Sequence, residues 1–225
     1  MPRKAAVLTA AVAAACVAVS ACGSVQLGAA AITGGTRITS ATLTNEVANL
    51  NAAYQQDKAE KISPQLPVGQ ETQQVLTWLI TFQIYDRIAL QHGIHVTPLQ
   101  VSEQQSRKLS GPARDNKLTV AEYVSAGGAL PPNLVSQLAR VYAIQAALEY
   151  RITGGKSPST TAGQDKETTA INHAVCRASK SLSIRVNPQF GEFDYSDYSV
   201  VTAPPTLAAN PSPSKAAAVR LTPAC

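Results

Sequence analysis

The chain has 225 residues, 19 of them Lys or Arg against 14 Asp or Glu, and its formal charge of +5 becomes +3 once Arg3 and Lys4 depart with a signal segment. A balance this weakly basic, with no run of cations interleaved with aromatics, excludes a nucleic-acid binder, and the length suits one domain or two small ones. One Trp and an aromatic content of 5% likewise speak against a carbohydrate-binding surface.

The start, MPRKAAVLTAAVAAACVAVSAC, opens with two cations and continues with an apolar run over 5–19. A basic start, a short apolar stretch and small residues at its end have the form of a secretory signal. The run is too short and too rich in alanine for a permanent span, which needs about 20 strongly apolar residues. Its end, Val19-Ser20-Ala21-Cys22, resembles a bacterial lipobox. That resemblance implies a diacylglycerol on the Cys22 sulfur and cleavage after Ala21, leaving a lipid-anchored protein on the extracytoplasmic face of the membrane. Cys16 is a poorer rival, because a cut there would truncate the apolar run. Two or three acyl chains anchor far more firmly than one, at about 0.8 kcal/mol per buried CH₂. The alternative is an ordinary signal peptide cut at the same bond. With Cys16 lost and Cys22 lipidated, Cys176 and Cys225 remain. Outside the cytoplasm two thiols tend to oxidise, so their bridge is the expectation and two free thiols the alternative.

Residues 22–29 read as a tether. Next, AAAITGGTRIT over 29–39 predicts a strand, a Gly34-Gly35 turn and a second strand, with Thr39 placed to cap the helix that follows. Along that helix Leu43, Val47, Leu50 and Tyr54 recur on one face. Pro64 and Pro67 break the pattern. From Glu71, ETQQVLTWLITFQIYDRIALQHG carries Leu76, Ile80, Ile84 and Ile88 at four-residue spacing, widened by Val75, Leu79 and Phe82. So broad an apolar face makes this the expected core helix, ended by Gly93 with Ile94 as the hydrophobic contact of a left-handed cap. Thr97-Pro98 with Gln100, and Thr119 with Glu122, are capping boxes opening two more helices, the second ending near Gly127-Gly128. After Pro131-Pro132 a long helix places Leu134, Leu138, Val141, Leu148 and Ile152 on one face and stops at Gly154-Gly155. GGKSPSTTAGQDK is expected as a loop, and a last helix over about 166–180 turns Ile171 and Val175 inward beside Cys176. Leu182, Ile184 and Val186 alternate with Ser183 and Arg185 as a half-buried strand that Asn187-Pro188 ends. The Pro- and Ala-rich residues 201–225 are expected to be a disordered tail. The expected fold is mainly α: one helical domain over 30–200, with a small β element pairing strands near 29–39 and 182–187.

Two segments resemble a known family. Ile32, Gly34, Gly35, Ile38 and Thr39 lead into the first helix, and Leu79, Ile80, Ile88, Ala89, Gly93, Ile94, Val96 and Thr97 close the second, in the order found at the start of SurA-type chaperones. LSIRVNPQFGEFD, residues 182–194, is similar to the closing segment of actinobacterial lipoproteins that carry a SurA-like domain, with Gln189 where arginine is usual. The resemblance covers most of residues 22–195. It implies a SurA-like multi-helix module that holds non-native polypeptide outside the cytoplasm without ATP. Many relatives insert a parvulin-type prolyl isomerase domain. Here Gly127-Gly128-Ala129-Leu130 echoes one of its motifs but runs into Pro131-Pro132, and residues 97–152 read as helices, so prolyl isomerase activity is not expected.

Binding a chain needs an exposed apolar groove, and with a single Met a Met-rich surface is excluded. Trp78, Phe82, Tyr85 and Tyr142 are the candidates to line it, at least two of them expected in the core. His92 and His95 stand three apart, but Gly93 separates them and no nearby cysteine or carboxylate completes a metal set. His92 is expected to meet the last carbonyls of its helix instead. Asp194, Tyr195, Asp197 and Tyr198 read as a solvated turn, and Asp86-Arg87 as a surface ion pair. No serine-hydrolase, zinc-protease or phosphate-loop motif occurs. The expectation is a chaperone or folding factor, not an enzyme, without cofactor or metal, whose partners are unfolded or secreted polypeptides and the membrane. An envelope scaffold for one folded partner and a degenerate prolyl isomerase are the alternatives.

Overall fold

The computed structural model describes residues 28–59, 62–156 and 158–202. The signal segment, Cys22 and the tether up to residue 27 lie outside the described residues, as do the tail from 203 onward and Cys225.

The fold is mainly helical, with two small antiparallel sheets among the described residues. Strands β1 (Ala29–Thr33) and β2 (Thr36–Thr39) form a hairpin turned by Gly34 and Gly35 at φ 57° and 90°. Two consecutive positive φ angles are what a two-residue hairpin turn demands. A Cβ on Gly34 would also stand 2.7 Å from Leu182 Cδ2, so glycine lets the turn press against the chain's later half. The Thr42 N–H donates to Thr39 Oγ1 at 3.0 Å, capping α1 (Ser40–Ala59), and Leu43, Leu50 and Tyr54 of its stripe are buried.

Helix α2 (Glu71–Gln91) is the core helix, with Val75, Leu76, Ile80, Ile84 and Ile88 each at most 1% exposed. At its end the Ile94 N–H reaches Ala89 O at 2.8 Å and the Gly93 N–H reaches Leu90 O at 3.3 Å, around Gly93 at φ 56°. This double closure satisfies carbonyls that a helix end otherwise leaves open. Helix α3 (Pro98–Gln105) runs through a π turn at Ser106–Ser110 into α4 (Gly111–Asp115), an irregularity without a sequence signal. Helix α5 (Val120–Gly128) ends on Ala129 in the left-handed conformation at φ 47°, one residue past the glycine pair expected to stop it. Both capping boxes form, Thr97 with Gln100 and Thr119 with Glu122.

Helix α6 (Val135–Thr153) follows a 3₁₀ turn at Pro132–Leu134. Its expected face fails at Ile152, which is 37% exposed in the last turn of the helix. Helix α7 (Thr161–Ser181) begins inside the expected loop, where Thr160 Oγ1 accepts the Gly163 N–H at 3.2 Å as an N-cap. Ala174 and Ala178 take its fully buried core positions, Val175 packs half-buried against the same cluster, and Ile171 stays half-buried.

Strand β3 (Arg185–Val186) pairs with β1 through Ala31↔Val186 and Ile32↔Arg185, giving the order β2-β1-β3 and joining the two expected segments. Leu182 and Ile184 are buried as the alternation required, although Leu182 caps α7. A second hairpin, β4 (Glu192–Asp194) with β5 (Ser199–Val201), was not anticipated. It carries the fold to Val201, the first residue of the expected tail, and β1 likewise begins at Ala29, inside the expected tether.

Asn187 joins these pieces. Its N–H donates to Ala30 O at 2.8 Å and its Nδ2 to Ala29 O at 3.1 Å, at the bulge between Ala29 and Ala31, while its Oδ1 accepts the Gln189 N–H at 3.2 Å. Gly191 then passes under β5 at φ 125°, where a Cβ would lie 2.2 Å from Val201 O. The segment VNPQFG is therefore a structural clasp.

The buried apolar residues form two clusters. The larger joins the β1–β2 sheet, α1, α2, α6 and α7; the smaller gathers Phe82, Leu109, Val124, Leu130, Leu134, Leu138, Ala139 and Val141. Helix α2 serves both, with Leu79 and Tyr85 touching each cluster. Among the described residues no helix is long and apolar enough to cross a membrane.

Candidate functional site

Helices α2, α6 and α7 do not close completely. Between them, and beside the β4–β5 turn, lies an open groove of about 750 Å³. Helix α2 contributes Gln74, Thr77, Trp78, Thr81, Ile84 and Tyr85, positions that follow one another at three- and four-residue spacing along a second face of the core helix. Helix α6 contributes Gln145 and Glu149, and α7 contributes Glu167, Thr168, Ile171, Asn172 and Val175. Asp197 and Tyr198 close one end.

Trp78 is held in place by its indole N–H, which donates to Gly128 O at 2.9 Å, and by Phe82, whose ring lies 6.3 Å away at 25°. The β4–β5 hairpin is fastened to α2 by the Val200 N–H, which donates to Thr77 Oγ1 at 2.8 Å. Asp194 Oδ1 accepts from the Ser196 N–H and hydroxyl at 2.8 and 2.6 Å, and Tyr195 OH accepts the Ile184 N–H at 3.1 Å. The four acidic and aromatic residues expected as a solvated turn thus split: Asp194 and Tyr195 fix the hairpin, whereas Asp197 and Tyr198 face the groove. Tyr198 adopts φ 54°, and its buried hydroxyl has no hydrogen-bond partner among the described residues.

Of the four aromatics expected in a groove, Trp78 and Tyr85 line it. Phe82 is 6% exposed in the smaller core, and Tyr142 packs half-buried against that same cluster. The positions sequence reasoning missed are Ile171, Val175 and Tyr198. A moderate signal existed for the first two, since α7 offers alanines at 174 and 178 for close packing and so frees its larger side chains.

The groove's electrostatics are one-sided. Glu149, Glu167 and Asp197 line it, and among the described lining residues there is no Lys or Arg. Burial raises the Tyr85 phenol above its ordinary value, with Glu149 and then Tyr142 adding to the effect, and burial raises Tyr198 as well. Both phenols therefore remain protonated donors at neutral pH. A wall of carboxylates, phenols and amides around an apolar floor is suited to a polypeptide carrying cations beside apolar side chains.

The remaining candidates fall into structural roles. Arg151 Nη1 donates to His92 O, and Nη2 to Gly93 O at 2.9 Å, so an arginine of α6 rather than His92 engages the end of α2. The His92 imidazole is lowered, chiefly by burial and then by Arg177 and Arg151. Asp86 pairs with Arg140 at 3.1 Å, not with Arg87, whose Nε donates to Ser181 Oγ at 3.0 Å. Among the described residues no group of three or more His, Cys, Asp and Glu is placed to hold a metal ion. Asp57, 2% exposed on α1, accepts from the Ser125 hydroxyl of α5 at 2.7 Å. Its carboxyl is raised by burial, opposed by that hydrogen bond, with Glu122 raising it further. Ser125 is 0% exposed, and this pair ties two helices together. Cys176, 4% exposed on α7, is disulfide-bonded, and its partner lies outside the described residues.

Comparison with protein-family models, with curated proteins and with solved structures gives no match.

Proposed function

We propose that this is a lipid-anchored, extracytoplasmic protein whose groove holds segments of non-native polypeptide without ATP, a chaperone-like role of the SurA kind. The observation that carries the reading is the groove itself: Trp78, Tyr85, Ile171 and Val175 stand partly uncovered beside a core that buries Ile80, Ile88 and Leu50 completely. Apolar side chains in a concavity of this size suit an extended chain segment, whose backbone groups Gln74, Gln145 and Asn172 can meet by hydrogen bonds.

The anchor reading rests on Val19-Ser20-Ala21-Cys22. Only five residues separate Cys22 from Gly28, the first described residue, and that length spans about 20 Å at full extension. An anchor there would keep the β1 end of the domain close to the bilayer, where secreted chains emerge. A second reading, an accessory lipoprotein for one specific partner, is favoured by the three groove carboxylates, which select for a basic sequence.

Trp78 is the protein's only tryptophan, so its emission reports on the groove. Titration of the chain from Gly23 onward with a permanently unfolded, reduced and alkylated protein shifts that emission saturably if the reading holds. An unchanged spectrum across neutral, basic and acidic unfolded chains refutes it. A response confined to a single basic partner selects the second reading.

A further inference from the structure

We propose that the cleft between α3 and α6 is a second binding site, separate from the groove, and that it takes a primary alkylammonium group. The site does not depend on what the groove binds.

The cleft holds about 530 Å³, and α6 lines it with Ala143, Ala146, Ala147 and Tyr150. Three- and four-residue spacing puts these side chains on one helical face. An alanine floor alone would be ordinary helix packing, and Gln104 of α3 is what distinguishes this one. Its side chain lines the cleft and is 9% exposed, and its buried Oε1 has no hydrogen-bond partner among the described residues. A buried acceptor without a donor is destabilising, and a bound guest or an ordered water is what usually answers it. The terminal torsion of a glutamine is broad, so this oxygen can turn to a guest without any movement of the helix.

The charge around that oxygen selects the guest. Arg151 borders the cleft, but its guanidinium is committed to the carbonyls of His92 and Gly93, where it offsets the negative end of α2. Gln100 is committed as well, since its Oε1 accepts from the Thr97 N–H at 2.8 Å and the Thr97 hydroxyl at 3.2 Å. Glu103 also lines the cleft, and its carboxylate makes no ion pair or hydrogen bond among the described residues. Tyr150 completes the set. Its ring is 68% exposed and lies against Gly155, where a Cβ would stand 2.5 Å from Cε2, so glycine at φ 79° lets the ring keep this place.

An ammonium head fits this surrounding. It donates to the Glu103 carboxylate and to Gln104 Oε1 and rests against the Tyr150 ring, while its methylene stem covers the alanines. An anionic guest would meet Glu103 with like charge, and a purely apolar one would leave both oxygens unanswered. Free diamines and the lysine side chain of a partner both present this group.

The test uses the chain from Gly23 onward, with its alanine and valine methyl groups isotopically labelled for NMR. It is titrated with cadaverine, with N-acetyl-lysine methylamide, and with 1-pentanol as the uncharged control. Saturable shifts of the Ala143, Ala146 and Ala147 methyl signals are expected with at least one amine, half-complete at or below about 1 mM, and none with pentanol. Stronger binding of cadaverine assigns the site to free diamines, and stronger binding of the lysine derivative assigns it to a partner's lysine. Gln104→Leu removes the unanswered acceptor, and is expected to weaken amine binding by about tenfold or more without lowering the urea midpoint. Glu103→Gln and Tyr150→Ala, both at exposed positions, are expected to weaken binding severalfold, and they decide alone if Gln104→Leu proves unstable. Shifts of the Val175 methyls in place of those alanines put the amine in the groove and overturn the proposal. Equal responses to pentanol, or unaltered affinity in both exposed variants, overturn it too. So does a water that stays at the Gln104 amide at saturating amine, which leaves an ordered water as the oxygen's only partner.

Discussion

The sheet end of the molecule and the groove are built from the same elements and finish in opposite states. At the sheet end α7 runs into Leu182, β3 pairs with β1, and Asn187 satisfies both the bulged strand and its own turn, so that Leu182 and Ile184 are each reduced to 7% exposure. Two to four turns earlier on the same helix, Ile171 and Val175 remain half-covered, opposite a face of α2 whose other side buries Val75, Leu76, Ile80 and Ile88 completely. The chain demonstrably contains the means to close a helix–sheet junction. Where it leaves large side chains open beside carboxylates and a tyrosine hydroxyl without a partner among the described residues, the opening is the candidate site and the closed end is its frame.

That contrast can be broken from the closed side first. Gly191→Val forces a branched side chain onto φ 125° and against Val201 O, and is expected to cost about 3 kcal/mol or more, read as a lowered urea midpoint. Asn187→Ala removes two side-chain hydrogen bonds at the clasp and is expected to cost about 2 kcal/mol; Asn187→Asp, which keeps the acceptor for Gln189, loses about half of that. Thr119→Ala, which unmakes the α5 capping box, costs about 1 kcal/mol in the same titration.

Asp57 sharpens the comparison through pH. Its folded-state pKa is raised above the ordinary carboxyl value, so the folded chain holds this proton more tightly than the unfolded chain does. Stability from this group is therefore fully present below 3.8 and falls as pH rises through the folded value. Asp57→Asn keeps an acceptor for Ser125 and removes the buried charge, so its stability relative to the wild type should grow with pH. A difference that stays flat between pH 3 and pH 7 would contradict this. On the open side, Ile171→Asn should alter stability by only about 0.5 kcal/mol, since the side chain is already partly exposed, while weakening polypeptide binding at least tenfold.

Much of the frame was legible in the sequence because its signals are local. The Gly34-Gly35 turn, the caps at Thr39, Thr97 and Thr119, the Gly93-Ile94 closure and the four-residue stripe of α2 each depend on a few consecutive residues. Even the β1–β3 pairing followed from one alternating segment at each end. The groove was only half legible, because lining is decided by which neighbours are absent. Trp78, Phe82 and Tyr85 lie on one apolar helix, and nothing local distinguishes Phe82, which α5 and α6 cover, from Tyr85, which they leave beside the gap. The β4–β5 hairpin escaped notice because its strands are three residues long and its turn is acidic and aromatic. Arg151 was overlooked because its partners, the carbonyls of His92 and Gly93, are nearly sixty residues away in sequence.

The central claim is that the groove between α2, α6 and α7 captures non-native polypeptide. Light scattering of an aggregating denatured protein, with the wild-type chain and the equally stable Ile171→Asn variant at matched concentration, tests it most directly. Suppression near stoichiometric amounts by the wild type, lost in the variant, is the predicted result. Equal suppression by both, or by neither, would contradict the assignment of binding to this groove.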